Sequence, residues 1–340
     1  MRLNSAILGY GAYVPKYRIS TEEIARIWVG EGSGPNRMKA VASYDEDALT
    51  MAYEAASIAL KMANYPEIEA ILVGSESKPY AVKPMGSVLS DILGFNKILG
   101  VDLEFACKGG TEAVQMISGM ITSGVIKHGL AIGSDTAQGR PSDDLEYTAA
   151  SGAGAVVLGQ PNGKEIAKIT HSVTFVTDTP DFWRRPKEHY PMHLGRFTGE
   201  PAYFTHIMSS VKLLFEETGY KPSDFNYAIF HQPNPKFPVE VGKRLGFKDE
   251  QLKPGLLNDE LGNSYSANTL VALSVVLDVS KPGDKILLSS FGSGAGSDTF
   301  VIEVVSKADD DDYIPLREKL KNYVEIDYAT YSKWRNKIIR

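Results

Sequence analysis

One cysteine stands in 340 residues, Cys107, inside the stretch EFACKGG. With a single thiol an internal disulfide is excluded, so this sulfur either packs or reacts. Packing is the commoner fate, since free cysteine is among the most buried side chains. Three features argue for reaction. The apolar run ILGVDLEFAC reads as a strand and TEAVQMISGMITSG as a helix, which puts the thiol at a strand-to-helix junction. KGGT permits a tight turn there. The partial positive charge at the start of the next helix, together with Lys108, would favour the thiolate. An unperturbed thiol is scarcely ionised near neutrality, so a nucleophile needs such help.

Two more stretches could act with the thiol. FHQPNPKFP puts His231 at the end of an apolar strand, before two prolines that stiffen the loop carrying Asn234 and Lys236. The plain reading is a hydrogen-bonded structural histidine; the functional one is an acid or hydrogen-bond donor. VGSESKPYAVKP ends a buried-looking strand near Glu76. A solvated glutamate is the plain reading, whereas a desolvated carboxyl has a raised pKa and serves as a base near neutral pH. FGSGAGSDTF is no dinucleotide loop, because such a loop opens a helix and this one runs into the strand-like TFVIEVV. Its glycines are expected to form a tight turn beside a pocket, where Ser293 and backbone amides could touch substrate. His189 and His193 are four residues apart, but Pro191 between them argues against a helical metal pair, and no metal site is expected.

These residues need elements to hold them. Strand-like and helix-like segments alternate from AILGYGAYVP to HGLAIGSDTA, and then SGAGAVVLG and IAKITHSVTFV read as strands without a helix between them. The second part repeats the order with FTHIMSSVKLLFEETGY, FNYAIFHQPN, SANTLVALSVVLDVS, DKILLSSFGSG and SDTFVIEVVS. An α/β duplication is predicted, with halves at 1–165 and 166–340. Glu76 precedes Cys107 by 31 residues and His231 precedes Asn263 by 32. The four therefore fall at comparable strand–helix junctions, where ligands gather in such sheets.

The net charge of -6 argues against nucleic acid as a partner, so a phosphate-bearing ligand would need a local basic patch. No run approaches the roughly 20 apolar residues of a membrane span, and the start lacks a signal-peptide pattern; a cytoplasmic protein is expected. ADDDDY near residue 310 reads as a solvated acidic run. The basic, aromatic tail YVEIDYATYSKWRNKIIR reads as a surface extension, with docking on another chain as the alternative.

The duplicated halves, Cys107 at its junction, HQPN and GNSYSAN together resemble the thiolase superfamily over essentially the whole chain. GSESKPYAVKP, YGAYVPKYRI and ACKGGTEA make the chain similar to the 3-hydroxy-3-methylglutaryl-CoA synthases, most closely their compact archaeal form. The resemblance implies a thiolase-like fold in layers α-β-α-β-α and condensation of acetyl-CoA with acetoacetyl-CoA, which feeds mevalonate and isoprenoid synthesis. Cys107 would carry the acetyl group, Glu76 would take a proton from its methyl, and His231 would hold and protonate the alkoxide. Asn263 and Ser293, joined by Thr148 and Thr198, match positions that bind the acyl portion. Arg196 and Lys236 match positions near the CoA phosphates. Glu240 stands where another basic contact is expected, and Lys243 or Arg244 could substitute. The resemblance also implies no cofactor beyond CoA thioester substrates, a homodimer, and a complex with an acetoacetyl-CoA thiolase and a small bridging protein. Two other readings stay open: a decarboxylating ketoacyl-synthase-like enzyme with a merely structural Glu76, and a non-catalytic scaffold that binds CoA.

Overall fold

The computed structural model describes residues 1–136, 139–308, 310 and 312–336. Part of the acidic run and the last four residues of the tail lie outside the described residues. Nine strands form one sheet: β1 (Arg2–Tyr13), β2 (Ala70–Gly74), β3 (Leu99–Leu103), β4 (His128–Asp135), β5 (Gly152–Gly159), β6 (Ala167–Val176), β7 (Tyr227–Phe230), β8 (Lys285–Ser289) and β9 (Gly296–Val304). Their order is β7-β8-β9-β6-β1-β5-β4-β2-β3. β2 runs parallel to β3 and β4, β7 runs parallel to β8, and every other neighbouring pair is antiparallel. The antiparallel pair β1–β6 joins the halves.

Five longer helices complete the layers: α1 (Ala48–Met62), α2 (Gly109–Thr122), α3 (Phe204–Thr218), α4 (Phe237–Leu245) and α5 (Asn268–Val279). Side chains alternate across each strand, and the two faces find different helices. Leu72, Ala131, Val156 and Leu158 of the first half, with Ile169, Ile286, Leu288 and Ile302 of the second, share one core with Ile117 of α2 and Leu270–Leu277 of α5. Ile71, Val73, Leu130 and Val157 face outward onto the alanines of α1. Val173, Phe230, Leu287 and Val301 face outward onto α3. The layers therefore run α1, first sheet half, α2 with α5, second sheet half, α3. α5 is buried at ten successive positions, as a helix between two sheets must be.

Two expectations are corrected. Asn263 does not follow a strand: it lies between the short helix Asn258–Leu261 and a 3₁₀ turn at Tyr265–Ala267 that leads into α5. The Gln232 side chain accepts the amides of Leu257 (2.8 Å) and Asn258 (3.1 Å), which takes those donors away from any ladder. Nor is the tail a loose surface extension. Val324–Glu325 pairs in parallel with Tyr17 and Arg18, and helix Tyr328–Trp334 follows. Tyr331 is fully buried beside Ile19, Ile24 and Val41, and its hydroxyl accepts from Lys39 Nζ at 2.9 Å.

The central helices approach the strand ends so closely that side chains are excluded. A Cβ on Gly133, near the end of β4, would fall 2.1 Å from the Ser266 carbonyl oxygen. Gly133→Ala is expected to cost about 1–3 kcal/mol by overpacking. Gly119→Ala, on α2 where a Cβ meets nothing within 4 Å, should instead be neutral or gain about 0.5–1 kcal/mol. Thermal unfolding of both variants beside the parent checks the pair.

Candidate active site

Cys107 sits in the five-residue turn between β3 and α2 and is 3% exposed. Ala106 before it has φ +45°, a left-handed conformation that an alanine holds only when its surroundings enforce it. They do: Gly109 N donates to Ala106 O at 3.1 Å, and Ser266 Oγ donates to the same oxygen at 3.2 Å. Glu76 lies two residues beyond β2. Its amide donates to Asp135 Oδ1 at 2.8 Å, and its carbonyl accepts from Arg184 at 3.0 Å. So held, the Glu76 carboxyl and the Cys107 thiol are hydrogen-bonded to each other.

Burial governs the titration of all three central groups. It pushes the Glu76 carboxyl up to about 8, with the Asp135 charge adding to the rise, while the bond to Cys107 and the Arg184 charge oppose it. The Cys107 thiol is pushed well above its ordinary value by burial first, then by Glu76, Asp135 and Asp181. This corrects the expectation of a favoured thiolate. Lys108 gives no such help, because its ammonium is paired with Asp298 and Glu112. Burial brings His231 down to about 3, so its imidazole is neutral.

His231 follows β7. Its amide donates to Ser289 O at 2.9 Å, and its carbonyl accepts the buried Tyr203 hydroxyl at 2.6 Å. Its ring centroid lies 6.2 Å from that of Phe291, and Nδ1 has no hydrogen-bond partner among the described residues. The next residue, Gly292, abuts the nucleophile turn: a Cβ there would fall 2.7 Å from Phe105 O. Ser293 lines a cavity of about 910 Å³ together with Glu76, Ala106, Phe182 and Arg184, so the glycines do form a turn beside a pocket. Asn263 N donates to Thr148 O (2.7 Å) and Ala150 N to Asn263 O (2.9 Å), and Ala149 between them packs with Cys107 and Tyr265.

Glu76 and Ser293 thus share one pocket wall with Ala106, and Cys107 is the buried residue that follows Ala106. Asn263 and Thr148 approach Cys107 through Ala149, and the His231 ring stands near Phe291, two residues before Ser293. Thr198, Arg196 and Lys236 do not line the cavity either. Thr198 hydrogen-bonds His193 Nε2 at 2.6 Å, while Arg196 and Lys236 are exposed, Arg196 lying over the Phe197 ring. Arg244 is held by Glu240 (2.9 Å) and Glu200 (2.7 Å), and Lys243 lies 3.5 Å from Asp249, so neither proposed substitute stands unpaired.

Several participants escaped the sequence reading. Asp135 is fully buried and binds the Ser77 hydroxyl (2.6 Å) and the Ser266 amide (2.9 Å) as well as Glu76. Its one signal was an acid ending an apolar strand, in AIGSDTA. Tyr265, with φ +50°, is buried against Cys107, and its hydroxyl has no hydrogen-bond partner among the described residues. Arg184, Arg185 and Lys187 line the cavity and supply a basic rim from a segment with no periodic pattern to mark it.

Models of 3-oxoacyl-[acyl-carrier-protein] synthase III and of its C-terminal part match residues 101–176 and 215–304. A hydroxymethylglutaryl-CoA synthase of Pyrococcus furiosus is 52% identical over 340 residues, which cover 98% of this chain and 96% of the relative. That of Archaeoglobus fulgidus is 49% identical over 342 residues, 98% of each. Among solved structures, an HMG-CoA synthase complexed with CoA superposes with a TM-score of 0.86 at 22% identity, covering 98% of this chain and 90% of the other. A 3-oxoacyl-(acyl carrier protein) synthase III from Pseudomonas aeruginosa gives 0.80 at 21%, covering 90% and 100%. These two similarities show the fold, which is thiolase-like. With half of its residues shared along nearly its whole length, the chain belongs to the hydroxymethylglutaryl-CoA synthase family.

Proposed function

We propose that this enzyme condenses acetyl-CoA with acetoacetyl-CoA to give 3-hydroxy-3-methylglutaryl-CoA through an acetyl-Cys107 intermediate, and so feeds mevalonate and isoprenoid synthesis. The observation that carries this reading is the desolvated Glu76 carboxyl hydrogen-bonded to the only thiol. A base so placed stands beside the methyl of an acetyl group on that sulfur.

Acetylation exchanges one thioester for another: the Cys107 proton ends on the departing CoA sulfur, so no net base is consumed. Glu76 then takes a methyl proton, and the resulting enolate attacks the ketone carbon of acetoacetyl-CoA. A methyl beside a thioester is weakly acidic, so both a positioned base and a charge-stabilising pocket are required. His231, being neutral, stabilises the alkoxide by donating a hydrogen bond rather than as a standing imidazolium acid. Proton balance closes when the methyl proton held by Glu76 returns to the alkoxide. Water finally releases the product from Cys107. A decarboxylating synthase would need no base at Glu76, and the Glu76–Cys107 contact favours the present reading over it.

In this reading Asn263, Ser293, Thr148 and Thr198 bind the acyl portion, with Arg196 and Lys236 near the CoA phosphates. CoA thioesters are substrates, and no further cofactor is invoked. β3 is an edge strand, and its Leu99 and Ile92 of the helix Met85–Ile92 packed against it are exposed, which supports a homodimer across that edge. A complex with an acetoacetyl-CoA thiolase and a bridging protein, in the cytoplasm, completes the proposal. No helix among the described residues is long and apolar enough to cross a membrane.

Glu76→Gln is expected to lower condensation about 10²–10⁴-fold, as loss of a general base does, while Cys107 still becomes acetylated. Mass measurement of product and of protein after incubation with both substrates separates the two steps; unimpaired condensation would sink the assignment. For the parent enzyme, kcat/KM should rise with pH through about 8 as Glu76 ionises. Stability should move the other way. The folded carboxyl keeps its proton to about 8 against an ordinary 4.5, so its contribution is complete below 4.5 and lost as pH rises through 8. The melting temperature of Glu76→Gln relative to the parent should therefore increase between pH 5 and pH 9.

A further inference from the structure

Lys108 follows the nucleophile directly, and its side chain is wholly buried. A buried ammonium is costly unless paired and hydrogen-bonded. Its nitrogen lies 2.9 Å from Asp298 Oδ1, hydrogen-bonds Glu112, and stands 3.6 Å from the centroid of the Phe105 ring. Asp298 is equally buried and belongs to β9, in the other half of the chain. Its Oδ1 also accepts the Thr174 hydroxyl at 2.9 Å, and Thr111 Oγ1 stands 3.0 Å from Oδ2. The pair thus crosses the seam between the halves. At the same seam a Cβ on Gly292 would lie 3.1 Å from Lys108 Cγ, so the turn bearing Cys107 packs directly on the glycine turn bearing Ser293.

We propose that Lys108 and Asp298 form a positioning pair, which locks the nucleophile turn of one half against the glycine turn of the other and fixes where the Cys107 sulfur meets an incoming thioester. Neither group touches substrate. The ion pair can do this because two interior charges of opposite sign admit few alternative arrangements, whereas apolar side chains of similar volume slide with little penalty. The strained φ at Ala106 gives the turn a reason to relax if the bolt is removed. The proposal rests on the acetyl-enzyme reading for its first measurement and is independent of it for its second.

Both measurements use the full chain, with Lys108→Met and the double variant Lys108→Met/Asp298→Leu. The double removes both buried charges together, so it should fold even if the single does not. With acetyl-CoA, the rate of Cys107 acetylation should fall about 10²-fold in the double, as misplacement of a reacting group by an ångström does, while the KM for acetyl-CoA stays unchanged. With iodoacetamide, alkylation of Cys107 should instead become faster, by about an order of magnitude, because a loosened turn opens locally. Opposite movement of the two rates, in a variant whose melting temperature matches the parent's, is the signature of lost positioning. A double variant that acetylates and alkylates at the parent's rates would overturn the proposal. If the parent itself takes no acetyl group from acetyl-CoA, the acetyl-enzyme reading fails, and an alkylation rate equal to the parent's in the double still decides against the pair.

Discussion

The active site depends on one carboxylate that does no chemistry in the proposed cycle. Asp135 ends β4 with no solvent exposure, and its two oxygens gather three donors from two separate pieces of chain: the Glu76 amide and the Ser77 hydroxyl beyond β2, and the Ser266 amide before α5. Charge-assisted bonds of this kind are about twice as strong as neutral ones, and leaving any of these donors unpaired in the interior would be expensive. A buried anion thus decides where the base of the first half stands relative to the loop that the second half contributes. Its charge also keeps Glu76 from ionising early, adding to the effect of burial.

This arrangement needs close backbone contact, and the sequence supplies it with small residues. Besides Gly133, Gly110 has no room for a side chain, since a Cβ there would fall 2.4 Å from the Ser266 carbonyl. The entry of α2, the end of β4 and the entry of α5 therefore touch through their main chains. Helix packing of this kind leaves no slack, so the strain at Ala106 is sustained by Ser266 as well as by its own turn.

Much of this was legible beforehand. The apolar runs marked every strand of the sheet, and the recurring order of elements matched β2, β4 and β5 of one half with β7, β8 and β9 of the other. The junction residues could be picked out because a polar side chain closing an apolar run has few structural reasons to be there. What stayed hidden was set by tertiary contact. Lys108 looked like a source of charge for the thiol, but only the fold shows Asp298, 190 residues away, taking its ammonium. The tail looked solvated because its aromatic residues find Ile19 and Val41, from the opposite end of the chain. Gln232 could not be seen to hold the amides of Leu257 and Asn258, at the start of the short helix that precedes Asn263.

The three central groups carry no charge at rest. Below about pH 8 the Glu76 carboxyl is protonated, the Cys107 thiol is intact and the His231 imidazole is neutral, each for the same reason of burial. Such a cavity suits a reaction whose charges exist only in passing. Hydrogen-bond donors already in place act most strongly on an enolate or alkoxide that forms among buried groups. A thiolate poised by a neighbouring cation would be the stronger nucleophile, but here the thiol keeps its proton until the exchange itself. Lys108 is spent on Asp298 and Glu112 instead of on sulfur, so the Cys107 proton has to leave with the departing CoA sulfur and not be displaced beforehand by a neighbouring cation.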